Sequence, residues 1–219
     1  MSAPAWHDPV RLQAARQRLA SRGLVRPGDS LSLRLPGAGA CLFALEPAAA
    51  GDNGFARMPL ALPCMSAAAE VHRLIYLARA DAGALLLSRQ PWAAALPAAG
   101  GTLPGVFDEQ LRHLGAQVTQ IPTPRARERV RAHLAGGANA FGIGTQVLCL
   151  GMTLERLVFN AELLEKCAQA YLLARATGLA VRRIPWLVRL VATGRLRRDQ
   201  RRAAASYARG EAPARVAGY

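Results

Sequence analysis

An α/β fold is predicted by three stretches of the chain. In EVHRLIYLARA, Val71, Leu74, Ile75 and Ala78 fall at i, i+3, i+4 and i+7, which is one face of an amphipathic helix. After the break at Ala80–Gly83, Ala84 to Leu87 is a short apolar run with no polar face, as in a strand covered on both sides. Much later, Leu154, Leu157, Val158, Ala161, Leu164, Ala168 and Leu172 keep one face through a single long helix.

The other elements follow in order. Asp8-Pro9 starts a first helix, an N-cap carboxylate followed by proline at N1, with Val10, Ala14 and Leu19 on its apolar side and Gly23 as its stop. SLSLRL (30–35) alternates polar and apolar residues, as a half-buried strand does. Pro36-Gly37 turns it back into a hairpin partner, Ala40 to Leu45. Residues 51–54 read as a loop and Met58 to Leu62 as a short strand; Ser66 caps the helix described above. Pro91 cannot donate to a ladder and ends the Ala84 strand, and a short helix follows it. Asp108 to Leu114 is a helix, Gln117 to Ile121 a strand, and Arg125 to Leu134 a charged helix with Val130 and Leu134 inward. Phe141 to Leu150 is one or two strands about a Gly142–Gly144 turn, and Thr153 caps the long helix that Gly178 ends. Pro185 then starts a short helix stopped by Gly194, and a basic helix runs on to Gly210.

Composition narrows the class. A chain of 219 residues that is 52% hydrophobic buries one ordinary core, and no apolar run reaches the ~18 residues of a membrane span. The first residues lack a basic stretch leading into an apolar one, so no signal peptide is expected and the cytoplasm is. Cys41, Cys64, Cys149 and Cys167 have no metal-ligand or CxxC spacing and are expected as free thiols. Net charge is +14, carried almost entirely by arginine. From Arg182 onward, ten arginines stand against Asp199 and Glu211. That tail suits an anionic surface, but only Trp186 and Tyr207 could stack on bases, and nucleic acid is disfavoured.

Three strings, HRLIYLARADAGALLLSRQPWAAAL, GTLPGVFDEQLRHLGAQVTQIP (101–122) and VLCLGMTLERLVFNAELLEKCAQAYLLA (147–174), resemble in order the class II aldolase/adducin-like family. The resemblance spans roughly residues 10 to 175. It implies a three-layer fold with a mostly antiparallel central sheet flanked by helices. It also implies a homo-oligomer, often a four-fold ring, and a divalent metal held by histidines. The chain departs from the family where the chemistry lies. Leu87 and Arg89 stand at the two strand-end histidine positions, Thr145 at the third, and Ala68 at the acid/base glutamate. Leucine has no lone pair to give and arginine stays protonated, so no metal and no cofactor is expected. GDSLSLR (28–34) lacks the asparagine of the family's phosphate-binding turn but keeps a hydroxyl at Ser30, and residues 46–54 show no matching Ser-Gly turn.

The candidate binding residues are therefore Arg89, Ser88, Gln90, Thr145, Gln146 and Ser30, at the mouth of the Ala84 strand. Arg89 either turns into the cleft against Glu70, Asp108, Glu109 or a bound anion, in which case a small carboxylate or phosphate is the expected ligand, or reaches solvent while Leu87 and Trp92 close the cleft. Two parts are expected, an aldolase/adducin-like domain over 1–180 and an Arg-rich helical extension over 181–219. Three functions compete: a metal-free binding or assembly protein, a carbon–carbon lyase or epimerase with a changed site, and a nucleic-acid or membrane-surface binder acting through the tail.

Overall fold

A computed structural model describes residues 9–45, 54–64, 66–123, 125 and 127–214. Asp8, the proposed cap, and almost all of the 46–54 segment lie outside the described residues. The first helix, α1 (Pro9–Ser21), is followed by β1 (Ser30–Leu35), β2 (Ala40–Leu45) and β3 (Ala56–Pro59). Next come α2 (Ala67–Ala78), β4 (Ala84–Ser88), a 3-10 helix (Ala93–Ala99), β5 (Leu103–Pro104), α3 (Asp108–His113) and β6 (Gln117–Gln120). The chain continues through α4 (Arg127–Leu134), β7 (Ala140–Ile143), β8 (Gln146–Gly151), α5 (Leu154–Ala176) and α6 (Trp186–Ala208).

The eight strands form one sheet in the order β3-β2-β1-β4-β8-β7-β6-β5. Only β6 and β7 pair in parallel; every other neighbouring pair is antiparallel. β4 lies at the centre, with Ser30 opposite its Leu87 and Val147 opposite its Ser88. The strand's period of two sends Ala84 and Leu86 to one face and Leu85 and Leu87 to the other. The first face packs on Leu12 and Leu19 of α1, the 3-10 helix and the apolar stripe of α5. The second packs on Val71, Leu74 and Ile75 of α2 and on Val130 and Leu134 of α4. This is the expected three-layer arrangement, mostly antiparallel and flanked by helices.

Several local expectations are corrected. The apolar side of α1 is Leu12, Ala15 and Leu19, whereas Val10 and Ala14 are exposed. β1 is buried on both sides, because its serines are covered by His72 of α2. The third strand begins two residues earlier than expected, and the β7–β8 turn is Gly144-Thr145. Gly194 does not stop a helix: α6 runs through it without a break for 23 residues.

The second half of α6 closes one end of the sheet. Leu196 and Ala203 are buried, and Gln200 Nε2 donates to the Gly137 carbonyl (2.7 Å) and to Asn139 Oδ1 (3.0 Å) at the start of β7. Tyr207 donates to the Met152 carbonyl at 2.9 Å, just past the end of β8. Its hydroxyl occupies the place a Cβ on residue 83 would take, so the approach requires Gly83. The free thiols are confirmed: Cys41 faces the α2 side, Cys149 and Cys167 the α5 side, and Cys64 is half-buried. Among the described residues no helix is long and apolar enough to cross a membrane.

Candidate functional site

The mouth of the sheet is the end opposite α6. Here β1 begins, β4 ends and the β7–β8 turn comes round, which gathers Gly28, Asp29, Arg89, Gln90, Thr145 and Gln146. Asp29 has no exposed surface, and its carboxylate is fully engaged. Oδ1 accepts from Arg89 Nε at 3.0 Å, and Oδ2 accepts from the backbone N–H groups of Arg26 (2.8 Å) and Arg89 (3.2 Å). Arg89 Nη2 donates to the Pro27 carbonyl, and the side chain stays 41% exposed. Gly28 has φ +87°, a left-handed conformation that favours glycine, and Arg89 Nη2 lies over the space a Cβ would take.

Arg89 thus has a carboxylate partner, but the partner is Asp29 and not Glu70, Asp108 or Glu109. Glu70 is bound to Arg73 and to the Cys64 amide, which together hold its carboxyl below the usual range. Asp108 and Glu109 are exposed on α3. The signal for Asp29 was present in the sequence, as an acid at the turn into the strand that pairs with β4.

The remaining candidates divide between the two faces. Ser88 and Gln90 are fully buried, and neither Ser88 Oγ nor Gln90 Oε1 has a hydrogen-bond partner among the described residues. Gln90 Nε2 reaches only the Cys149 sulfur, at 3.9 Å. Thr145 is exposed on its turn and Gln146 is half-buried. Ser30 does not join them. Its hydroxyl lies 2.9 Å from His72 Nε2, while Ser32 Oγ lies 2.7 Å from His72 Nδ1 and 2.9 Å from the Tyr76 hydroxyl. This network is sealed between β1 and α2, and burial pushes the His72 pKa down to about 3, leaving the ring neutral.

The residues at the inferred ligand positions do not fit a divalent cation. Leu87 points into the α2-side core at 4% exposure, Arg89 carries a positive charge, and Thr145 offers one exposed hydroxyl. Ala68 sits in the first turn of α2 with no group to move a proton.

The motif behind the resemblance proves to be architectural. His72 and Tyr76 fasten α2 to β1. Arg79 forms a two-point pair with Asp81 (2.7 Å for each contact) and reaches Asn139 Oδ1 at 2.8 Å. Arg34 collects the carbonyls of Tyr76 (3.0 Å), Arg79 (2.9 Å) and Ala82 (2.6 Å), satisfying acceptors that the end of α2 leaves open. Its guanidinium is also stacked near the rings of Tyr76 and Tyr207.

Residues 54–172 match the family model described as the Class II Aldolase and Adducin N-terminal domain. The chain belongs to the class II aldolase/adducin family. Its structural relatives in that family include YgbL of Klebsiella pneumoniae, a putative aldolase/epimerase/decarboxylase, at 20% identity and a TM-score of 0.65. That match covers 83% of this chain and 95% of the relative. L-fuculose-1-phosphate aldolase of Thermus thermophilus matches at 24% identity and a TM-score of 0.63, over 79% of this chain and all of the relative. An aldolase II superfamily protein of Pseudomonas syringae matches at 16% identity and a TM-score of 0.69, over 97% and 96%. No match was found among curated protein sequences.

Proposed function

We propose that this class II aldolase family member is a metal-free binding or assembly protein that keeps an anion-binding site at the sheet mouth. Arg89 carries the proposal. Its Nε and Nη2 are fixed by Asp29 and Pro27, while Nη1 has no partner among the described residues on a side chain 41% exposed. Gln146 and Thr145 stand on the neighbouring β7–β8 turn, where their side chains can donate beside it. A carboxylate or phosphate would complete the guanidinium's donor set. The four free cysteines support a reducing compartment such as the cytoplasm. Trp186 and Leu190 of α6, 63% and 61% exposed, support a homo-oligomer. Light scattering after size exclusion tests that assembly, and a monomer at micromolar concentration overturns it.

The alternative is a carbon–carbon lyase acting on a small sugar phosphate, and it is supported by the names of the fuculose-phosphate aldolases of similar fold. Elemental analysis separates the two. Our proposal expects no stoichiometric zinc in the purified protein, and inorganic phosphate should raise its melting temperature. Removing Arg89 alone would take the guanidinium from the buried Asp29 carboxylate and leave it only its two backbone N–H donors. The double change Arg89→Gln with Asp29→Asn therefore serves as the control and should fold while losing the phosphate response. One equivalent of zinc, with aldol cleavage abolished by chelator, would establish the lyase instead.

A further inference from the structure

A second site stands at the opposite end of the sheet, between α3 and the first half of α6. The groove there has a volume of about 680 Å³, within the ~300–1,000 Å³ range of small-molecule sites. One wall is apolar, made by Leu187, Val188 and Val191, and the other carries Arg112 and His113, with Arg195 also lining the groove.

His113 is 6% exposed, and its Nδ1 lies 2.8 Å from Arg156 Nη1. A guanidinium only donates, so Nδ1 must accept and the ring proton must sit on Nε2. That N–H has no acceptor among the described residues. The ring is held edge-on by Phe159, with centroids 4.9 Å apart. Behind it the charges do not cancel. Arg112 pairs with Asp199 at 2.5 Å, whereas Arg156, half-buried, forms no ion pair among the described residues and feels Asp199 only at longer range. Burial, reinforced by Arg156 and Arg112, pushes the His113 pKa down to about 4, so the ring is a neutral donor at physiological pH.

We propose that this groove binds a small amphipathic carboxylate, whose apolar arm lies along Leu187, Val188 and Val191 and whose head accepts from His113 Nε2–H in the field of Arg112, Arg156 and Arg195. Among the described residues the Arg112–Asp199 and Lys166–Glu109 pairs cancel, which leaves Arg156 and Arg195 against Asp108, one surplus positive charge to match one negative charge. Asp108 and Glu109 also line the groove, and their charges favour a monoanion over a dianion such as a phosphate monoester. The site is independent of the sheet mouth and does not rest on the Arg89 proposal.

Calorimetric titration of the full-length protein with sodium octanoate at fixed ionic strength tests it. Octanoate should bind saturably, and sodium acetate, which lacks the arm, should bind on the order of a hundredfold more weakly. Val191→Glu sets a like charge in the apolar wall and should abolish octanoate binding. Arg195→Ala should weaken binding about tenfold, the size of one charge-assisted contact. Both residues are exposed, so both variants should keep the wild-type circular dichroism. In nitrogen NMR the His113 ring should appear as the Nε2–H tautomer, with that resonance moving on octanoate addition. Equal affinities for acetate and octanoate, or octanoate binding unchanged in Val191→Glu, would overturn the assignment. So would a wild-type chain that ignores octanoate while Val191→Glu lowers its oligomeric state, since a second copy would then fill the groove.

Discussion

His72 has no exposed surface, and a serine hydroxyl lies against each of its ring nitrogens. Its cost appears at low pH. The unfolded chain takes up the imidazole proton near pH 6.5, and the folded chain refuses it until about pH 3. Between those values the unfolded state binds more protons. The contribution is therefore complete above pH 6.5 and is lost as the pH falls towards 3. His113 acts in the same direction down to about pH 4. Urea unfolding at pH 7.5, 6 and 5 should show stability falling by up to about 1.4 kcal/mol per pH unit for each histidine below the unfolded pKa. His72→Gln keeps a donor and an acceptor without titrating, and its slope should be shallower by one such increment; an unchanged slope would exclude this histidine as a source. At this scale the sequence was half legible. Leu87, Arg89 and Thr145 could be read as unfit for a metal directly from their chemistry. The sequestering of Ser30 could not, because it depends on a cross-strand register and a helix that meet only in the folded chain.

Elements with strong local pattern were read closely, and those defined by a neighbour were not. β1 and β2 have the predicted bounds, since alternation and the Pro36-Gly37 turn are local signals. β5 is two residues long and exists only through its pairing with Gln117 and Val118. α6 shows the opposite failure. Glycine ends a helix when the chain can leave in a left-handed turn, but Ala192 and Leu196 are buried on either side of Gly194 and carry the helix through. A Cβ on residue 194 would meet nothing within 4 Å. Gly194→Ala should therefore stabilise the protein by about 0.5–1 kcal/mol, through a smaller loss of backbone entropy on folding. Thermal unfolding followed by calorimetry measures this, and a lowered midpoint would mean that α6 needs a hinge there.

On the scale of the whole molecule, the family and the layer order were legible because three strings in sequence carry them. The two sites proposed above stand at opposite ends of the sheet, the Arg89 mouth and the α3–α6 groove, and α6 packs at the second end. The docking of α6 on the sheet was hidden because the contacts of Gln200 and Tyr207 join residues more than 50 positions apart. The four cysteines turn this architecture into a set of clocks. Cys41 lies under one helical layer, Cys149 and Cys167 under the other, and burial raises all three thiols to about 12, where almost no thiolate exists near neutrality. With a chromogenic disulfide reagent at pH 8, Cys64 should react at once and the other three only as fast as their layer opens. Mass spectrometry of quenched samples would then time the two sides of the sheet separately in the wild-type chain, with no engineered probe. Four thiols modified together within the dead time would mean that neither layer excludes the reagent; two distinct slow phases would show that the sheet sheds its helices one side at a time.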